Sequence, residues 1–115
     1  MKVILPWPPK ELSPNARAHW SVKSKAAKAY RHACRILFMQ AGIKAPAGKI
    51  ALALEFVPPT RHAMDDDNLI ARFKAGRDGI ADAIGVDDKH FTTQFWLRSE
   101  PVKDGAVIAE IKEAE

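Results

Sequence analysis

The residues best suited to chemistry lie in Asp65-Asp66-Asp67-Asn68-Leu69-Ile70-Ala71-Arg72-Phe73-Lys74-Ala75-Gly76-Arg77-Asp78 and in Asp87-Asp88. Capping a helix and complementing its dipole takes one or two acids at the helix start. Three consecutive acids exceed that need, because adjacent carboxylates repel one another, and a bound cation would relieve the repulsion. Asp65 and Asp67, two apart in an extended segment, point the same way and can share one hard cation. A helix turning about 100° per residue places Leu69, Phe73, Gly76, Ile80 and Ile84 on one face. Asp67, Ala71, Lys74, Asp78 and Asp82 then share the opposite face. Asp67 and Lys74 stand about 10 Å apart along the axis, a gap that a lysine leaning towards the helix N-terminus narrows. If the chain doubles back after this helix, Asp88 approaches the Asp65/Asp67 pair. Three carboxylates with open water positions suit Mg²⁺, which lowers the pKa of an attacking water or stabilises charge on a phosphate.

Rival sites fail on spacing. An EF-hand loop starting at Asp65 needs glycine sixth and an acid twelfth, where Ile70 and Gly76 stand. There is no Walker A or HExxH motif. The four histidines, His19, His32, His62 and His90, show no metal-ligand spacing. Glu110-Ile111-Lys112 matches the Glu-x-Lys of restriction-type nuclease strands, a tripeptide frequent by chance.

The elements that must position these residues follow from periodicity. Lys2–Leu5 reads as a strand, stopped by Pro6-Trp7-Pro8-Pro9 because proline lacks the ladder N–H. Residues 10–23 read as an ordered loop. A helix capped by Ser21 or Ser24 runs to about Gln40, with Gly42 as its terminator. Ile50, Leu52, Leu54 and Phe56 alternate with Ala51, Ala53 and Glu55 as a strand. A second helix spans about Asp67–Ile84 and ends at Gly85. His90–Arg98 is strand-like, Lys103-Asp104-Gly105 signals a hairpin turn, and Ala106–Lys112 is the last strand. Tyr30, Phe38 and Trp96 are expected in the core. The order is β-α-β-α-β-β: an α+β fold with a mixed four-stranded sheet and two helices packed on it, one domain over residues 1–115.

Composition bounds the partners. The 115 residues carry a net charge of +4, and 47% are hydrophobic, ordinary values for a globular chain. No run of about 18 apolar residues exists, so a transmembrane helix is not expected. The first apolar stretch, broken at Pro6, is too short for a signal peptide. The single cysteine, Cys34, excludes an internal disulfide and fits a cytoplasmic location. Residues 1–50 hold ten Lys/Arg and one acid, Glu11, whereas residues 65–88 hold seven of the 14 acids. A basic half beside concentrated carboxylates is the charge layout of a metal-dependent nuclease or phosphotransferase, or of two helices that are simply solvated.

With Leu5-Pro6-Trp7-Pro8-Pro9 after a first strand, a basic loop and helix, Asp65-x-Asp67-Asn68-Leu69, Lys74-x-x-x-Asp78 and Asp87-Asp88, the chain resembles the RusA family of Holliday junction resolvases over nearly its whole length. The resemblance implies a small Mg²⁺-dependent homodimer, with Mn²⁺ as a substitute, that resolves four-way DNA junctions by paired symmetric incisions in recombination and repair. It implies that Asp65, Asp67 and Asp88 are the metal-binding catalytic aspartates. The family's lysine four residues after the second aspartate is Ala71 here. Lys74 keeps the Lys-x-x-x-Asp spacing and is the expected catalytic cation; Arg72 is the alternative, and Arg72 and Arg77 are expected to point elsewhere. Lys10, Arg17, Lys23, Lys25, Lys28 and Arg31 are the expected DNA-binding residues. Trp7 and Trp20 are candidates to stack on unpaired bases, set against ordinary packing for each. Two other functions fit the same residues: a catalytically silent junction-binding module, or a flap or single-strand nuclease on the same scaffold.

Overall fold

The structure, a computed structural model, describes residues 1–61 and 66–114, without the side chains of residues 66 and 67. Its elements in order are β1 (Lys2–Leu5), α1 (Trp20–Ala41), β2 (Ile50–Val57), α2 (Asp66–Arg72), α3 (Lys74–Ile84), β3 (Phe91–Leu97) and β4 (Ala106–Glu113). Single 3₁₀ turns stand at Lys10–Leu12 and Asp88–His90. The fold is α+β, with four strands ordered β1-β4-β2-β3 in a mixed sheet. β4 pairs antiparallel with both β1 and β2, while β2 and β3 run parallel.

Period-2 alternation decides which strand residues meet the helices. Val3 and Leu5, then Ile50, Leu52, Leu54 and Phe56, then Phe91, then Val107, Ala109 and Ile111 are buried together with Tyr30, Cys34, Phe38, Leu69, Phe73 and Ile80. Each fully buried Leu, Ile or Phe side chain contributes roughly 1.5–3 kcal/mol relative to exposure. Phe56 centres this core, with Trp7, Phe73 and Phe95 edge-on at ring distances of 6.1, 5.8 and 6.1 Å. The other sheet face is uncovered. Trp96 lies on it, 49% exposed rather than in the core, because its partner in register is Glu55.

Three further expectations are corrected. α1 is capped by His19, whose Nδ1 accepts from the Ser21 N–H at 3.2 Å, so neither Ser21 nor Ser24 is the cap. The second helix is two pieces that meet at Phe73, which sits in the bridge region at φ −87° and ψ 0°. Backbone bonds still pass from Phe73 N–H to Leu69 and from Arg77 N–H to Phe73, each at 3.0 Å. Phe73 turns its ring into the core there, edge-on to Tyr30 at 6.1 Å. Lys103-Asp104-Gly105 is a tight turn, closed by Gly105 N–H to Val102 C=O at 2.9 Å, but it joins no hairpin. β4 crosses the end of β2 to enter the sheet between β1 and β2, so β3 and β4 are not neighbours.

The predicted helix ends hold. Gly42 and Gly85 adopt φ values of 69° and 72°, the left-handed C-cap conformation that glycine adopts without a Cβ penalty. Among the described residues no helix is long and apolar enough to cross a membrane.

Candidate active site

The parallel β2–β3 pair requires a crossover, and α2 and α3 provide it. Beyond Gly85 the chain doubles back along α3. Asp87 accepts the Lys89 N–H at 3.0 Å, capping the 3₁₀ turn that presents Asp88. This backbone hydrogen bond holds the Asp87 carboxyl below the usual range.

Asp88 thereby comes level with the first turns of α3. Its Oδ2 lies 4.0 Å from Lys74 Nζ and 3.4 Å from an Arg77 guanidinium nitrogen. Both cations face Oδ2, which leaves Oδ1 without an ion-pair partner among the described residues. Lys74 is also held at 3.4 Å by Asp78, one turn along the helix. The expected polar stripe therefore exists from Ala71 through Lys74 to Asp78, and it collects Asp88 from 14 residues downstream of Lys74. Asp67 stands in the first turn of α2, with its side chain outside the described residues, as is the whole of Asp65. Among the described residues no three ligating side chains converge. The donor chemistry of Asp65, Asp67 and Asp88, all carboxylate oxygens, fits a hard divalent cation.

Arg77 is the residue that sequence reasoning misplaced. It points into the site, donating to the Thr93 hydroxyl at 3.2 Å, to Asp88 Oδ2 at 3.4 Å, and to the carbonyls of Asp88 and Phe91 at 3.2 and 3.4 Å. Its side chain is 28% exposed against 69% for Lys74, so it is a strut where Lys74 is a solvent-exposed arm. The i, i+3 spacing of Lys74 and Arg77 was the available signal. An open pocket of about 340 Å³ beside them is lined by Ile70, Ala71, Lys74, Arg77 and Thr93.

Arg72 has a different task. Its Nε donates to the carbonyls of Pro8 and Pro9 at 2.9 and 3.0 Å, and its guanidinium lies 5.8 Å from the Trp7 ring centroid. Tyr30 donates to the Pro6 carbonyl at 2.5 Å. The proline-rich segment, which has few main-chain N–H groups of its own to pair, is thus pinned to α1 and α2 through its carbonyls. Trp7 packs there as structure.

The expected cationic surface divides. Lys10, Arg17, Lys25 and Lys28 are exposed and Lys23 is half-buried. Arg31 instead turns towards α3, donating to both oxygens of Asp82 at 2.6 and 2.9 Å, with Asp78 at 4.0 Å. It lines an acidic cleft of about 220 Å³ with Asp78, Asp82, Asp87 and Asp88. The hydrogen bond from Arg31 depresses the Asp82 carboxyl.

No family model matches the chain. It is 46% identical over 113 residues to a protein of Xylella fastidiosa (strain Temecula1 / ATCC 700964) that carries only the name "Uncharacterized protein". The match takes in 95% of this chain and 74% of that protein. At that identity and coverage, this chain belongs to the same family as the Xylella fastidiosa protein.

Proposed function

We propose that this protein is a Mg²⁺-dependent, structure-selective endodeoxyribonuclease that cuts four-way DNA junctions in the cytoplasm as a homodimer, in the manner of the RusA family. The observation that carries the proposal is the meeting of Asp88 with Lys74 at the start of α3. Asp65, Asp67 and Asp88 would hold the cation, which when bound activates water and offsets phosphate charge. Lys74 donates to the non-bridging oxygens as negative charge builds in the transition state. Asp78 tethers Lys74 at the helix start, and Arg77 holds Asp88. The exposed Lys10, Arg17, Lys25 and Lys28 supply sequence-independent affinity for phosphates. A four-way junction has approximate two-fold symmetry, which a C₂ dimer with two sites matches.

The test is nicking of a synthetic four-way junction with and without Mg²⁺, beside Asp67→Asn and Asp88→Asn. Paired symmetric cuts by the wild type, lost in both variants while junction binding persists, are expected. Binding without nicking by the wild type would make the protein a silent junction-binding module. Preferential cutting of flaps would assign it the related nuclease activity. No junction binding at all would overturn the proposal.

A further inference from the structure

Trp20, the first residue of α1, is 74% exposed, and the core makes no use of it. An indole left in water forfeits most of its burial energy, and aromatic residues so placed are enriched at recognition surfaces. Its ring is not isolated. His19 lies against it at a centroid distance of 5.6 Å and an interplanar angle of 36°. His19 is itself fixed as the helix cap by Ser21, whose N–H and hydroxyl lie 3.2 and 2.7 Å from Nδ1. Two rings are therefore held beside each other at a rigid helix end.

The surroundings say what such a plate would meet. An open pocket of about 470 Å³ adjoins this end of α1, lined by Lys10, Arg17, Val22, Ala16 and Ala18, with Glu11 as its one acid. Lys23 is a same-face neighbour of Trp20, three residues along the helix. α1 contains no acidic residue. An aromatic plate on a helix without acids, with cations at the same end of the molecule, combines a surface for a base with partners for its backbone. A protein partner would have to bury an indole at a helix end that carries Lys23 and no acid, which is the less favourable match.

We propose that Trp20, backed by His19, is a stacking platform for an unpaired nucleobase, with Lys10, Arg17 and Lys23 contacting the flanking phosphates. This proposal rests on the nucleic-acid part of the function given above and adds to it the recognition of unstacked bases. Trp7, committed to Phe56 and Arg72, has no part in it.

The experiment measures binding of the full chain in metal-free buffer to fluorescein-labelled oligothymidylate and to an abasic oligomer with the same number of phosphates. Wild type, Trp20→Ala and Trp20→Phe are compared, with circular dichroism checking that each is folded. The wild type should bind the thymidylate about tenfold more tightly than the abasic strand, the lower range for stacking. Trp20→Ala should bind both strands at the abasic level with an unchanged salt slope, and Trp20→Phe should retain most of the preference. Equal wild-type affinity for the two strands, or a base preference that survives Trp20→Ala, would overturn the platform and leave the cationic surface intact. No binding to either strand would overturn both. A Trp20→Ala change that alters only self-association in sedimentation would make the residue a protein contact and also overturn the proposal.

Discussion

Lys74 and Arg77 carry the same charge and face the same carboxylate, yet their surroundings assign them different work. Lys74 is an exposed ammonium held by long hydrogen bonds to Asp78 at 3.4 Å and by the charge of Asp88 at 4.0 Å. It can leave both for a phosphate oxygen. Lys74→Ala is therefore expected to lower junction cleavage by about 100-fold or more, the scale of losing one transition-state donor. Junction affinity and thermal stability should barely change. Ala71→Lys combined with Lys74→Ala should restore part of the rate, since position 71 borders the same pocket. Arg77 is tied down at four acceptors, one of them the Asp88 carbonyl. Arg77→Ala should lower activity about 10- to 100-fold, as loss of a partner supporting a metal ligand does. The Mg²⁺ concentration for half-maximal rate should rise with it and Arg77→Lys should recover part, a pattern seen by titrating the metal in single-turnover assays. An unaltered Mg²⁺ requirement in Arg77→Ala would limit Arg77 to packing.

At the level of elements, the site depends on how closely α3 approaches α1. A Cβ added at Gly79 would fall on the Arg31 carbonyl oxygen and lie 3.1 Å from the Cys34 Cβ. The two backbones meet with no room for a side chain, so Gly79→Ala must push the helices apart. A cost of about 1–3 kcal/mol is expected, measurable as a lower urea midpoint. Cleavage should fall as well, because Lys74, Arg77 and Asp78 move with α3. The same contact is stitched at the surface by Arg31 and Asp82. The folded-state Asp82 carboxyl is depressed, first by the Arg31 hydrogen bond. It therefore adds stability above the unfolded value near 3.9, and this is lost as pH falls through the lower folded value. Asp82→Asn should be less stable than wild type at pH 7 by the roughly 0.2–1 kcal/mol of a surface ion pair. The gap should close as pH falls well below the unfolded value, and urea melts at pH 7 and in acid check this. The C-terminal ends of α1 and α3 and the bounds of β2 were legible in local sequence, whereas the start of α1 at Trp20 was not. Gly42 and Gly85 marked the helix ends, and alternation from Ile50 marked β2. The kink at Phe73 was not legible, because it depends on the space between Tyr30 and Phe56, two residues remote in sequence.

For the whole molecule, charge separation along the sequence became separation in space only in part. The first half of the chain remains basic at Lys10, Arg17, Lys23, Lys25 and Lys28, but Arg31 is drawn into the acidic cleft. Neutralising Lys23, Lys25 and Lys28 together to Gln should weaken junction binding and flatten its salt dependence by roughly one unit of log slope per lost phosphate contact. Arg31→Gln alone should change that slope less than Lys28→Gln does. Anisotropy titrations across a salt series decide both. The sequence by itself determined what depends on near neighbours: the four strands, the core alternation, and the helix stops at Gly42 and Gly85. Only the tertiary structure decided the strand order, the exposure of Trp96 and Trp20, the use of Arg72 to pin the proline-rich segment, and the convergence of Arg77 and Lys74 on Asp88. Periodicity is a local property, set by 3.6 or 2 residues per repeat. Which distant side chains meet depends on the one order of strands and helices that buries all the apolar faces at once.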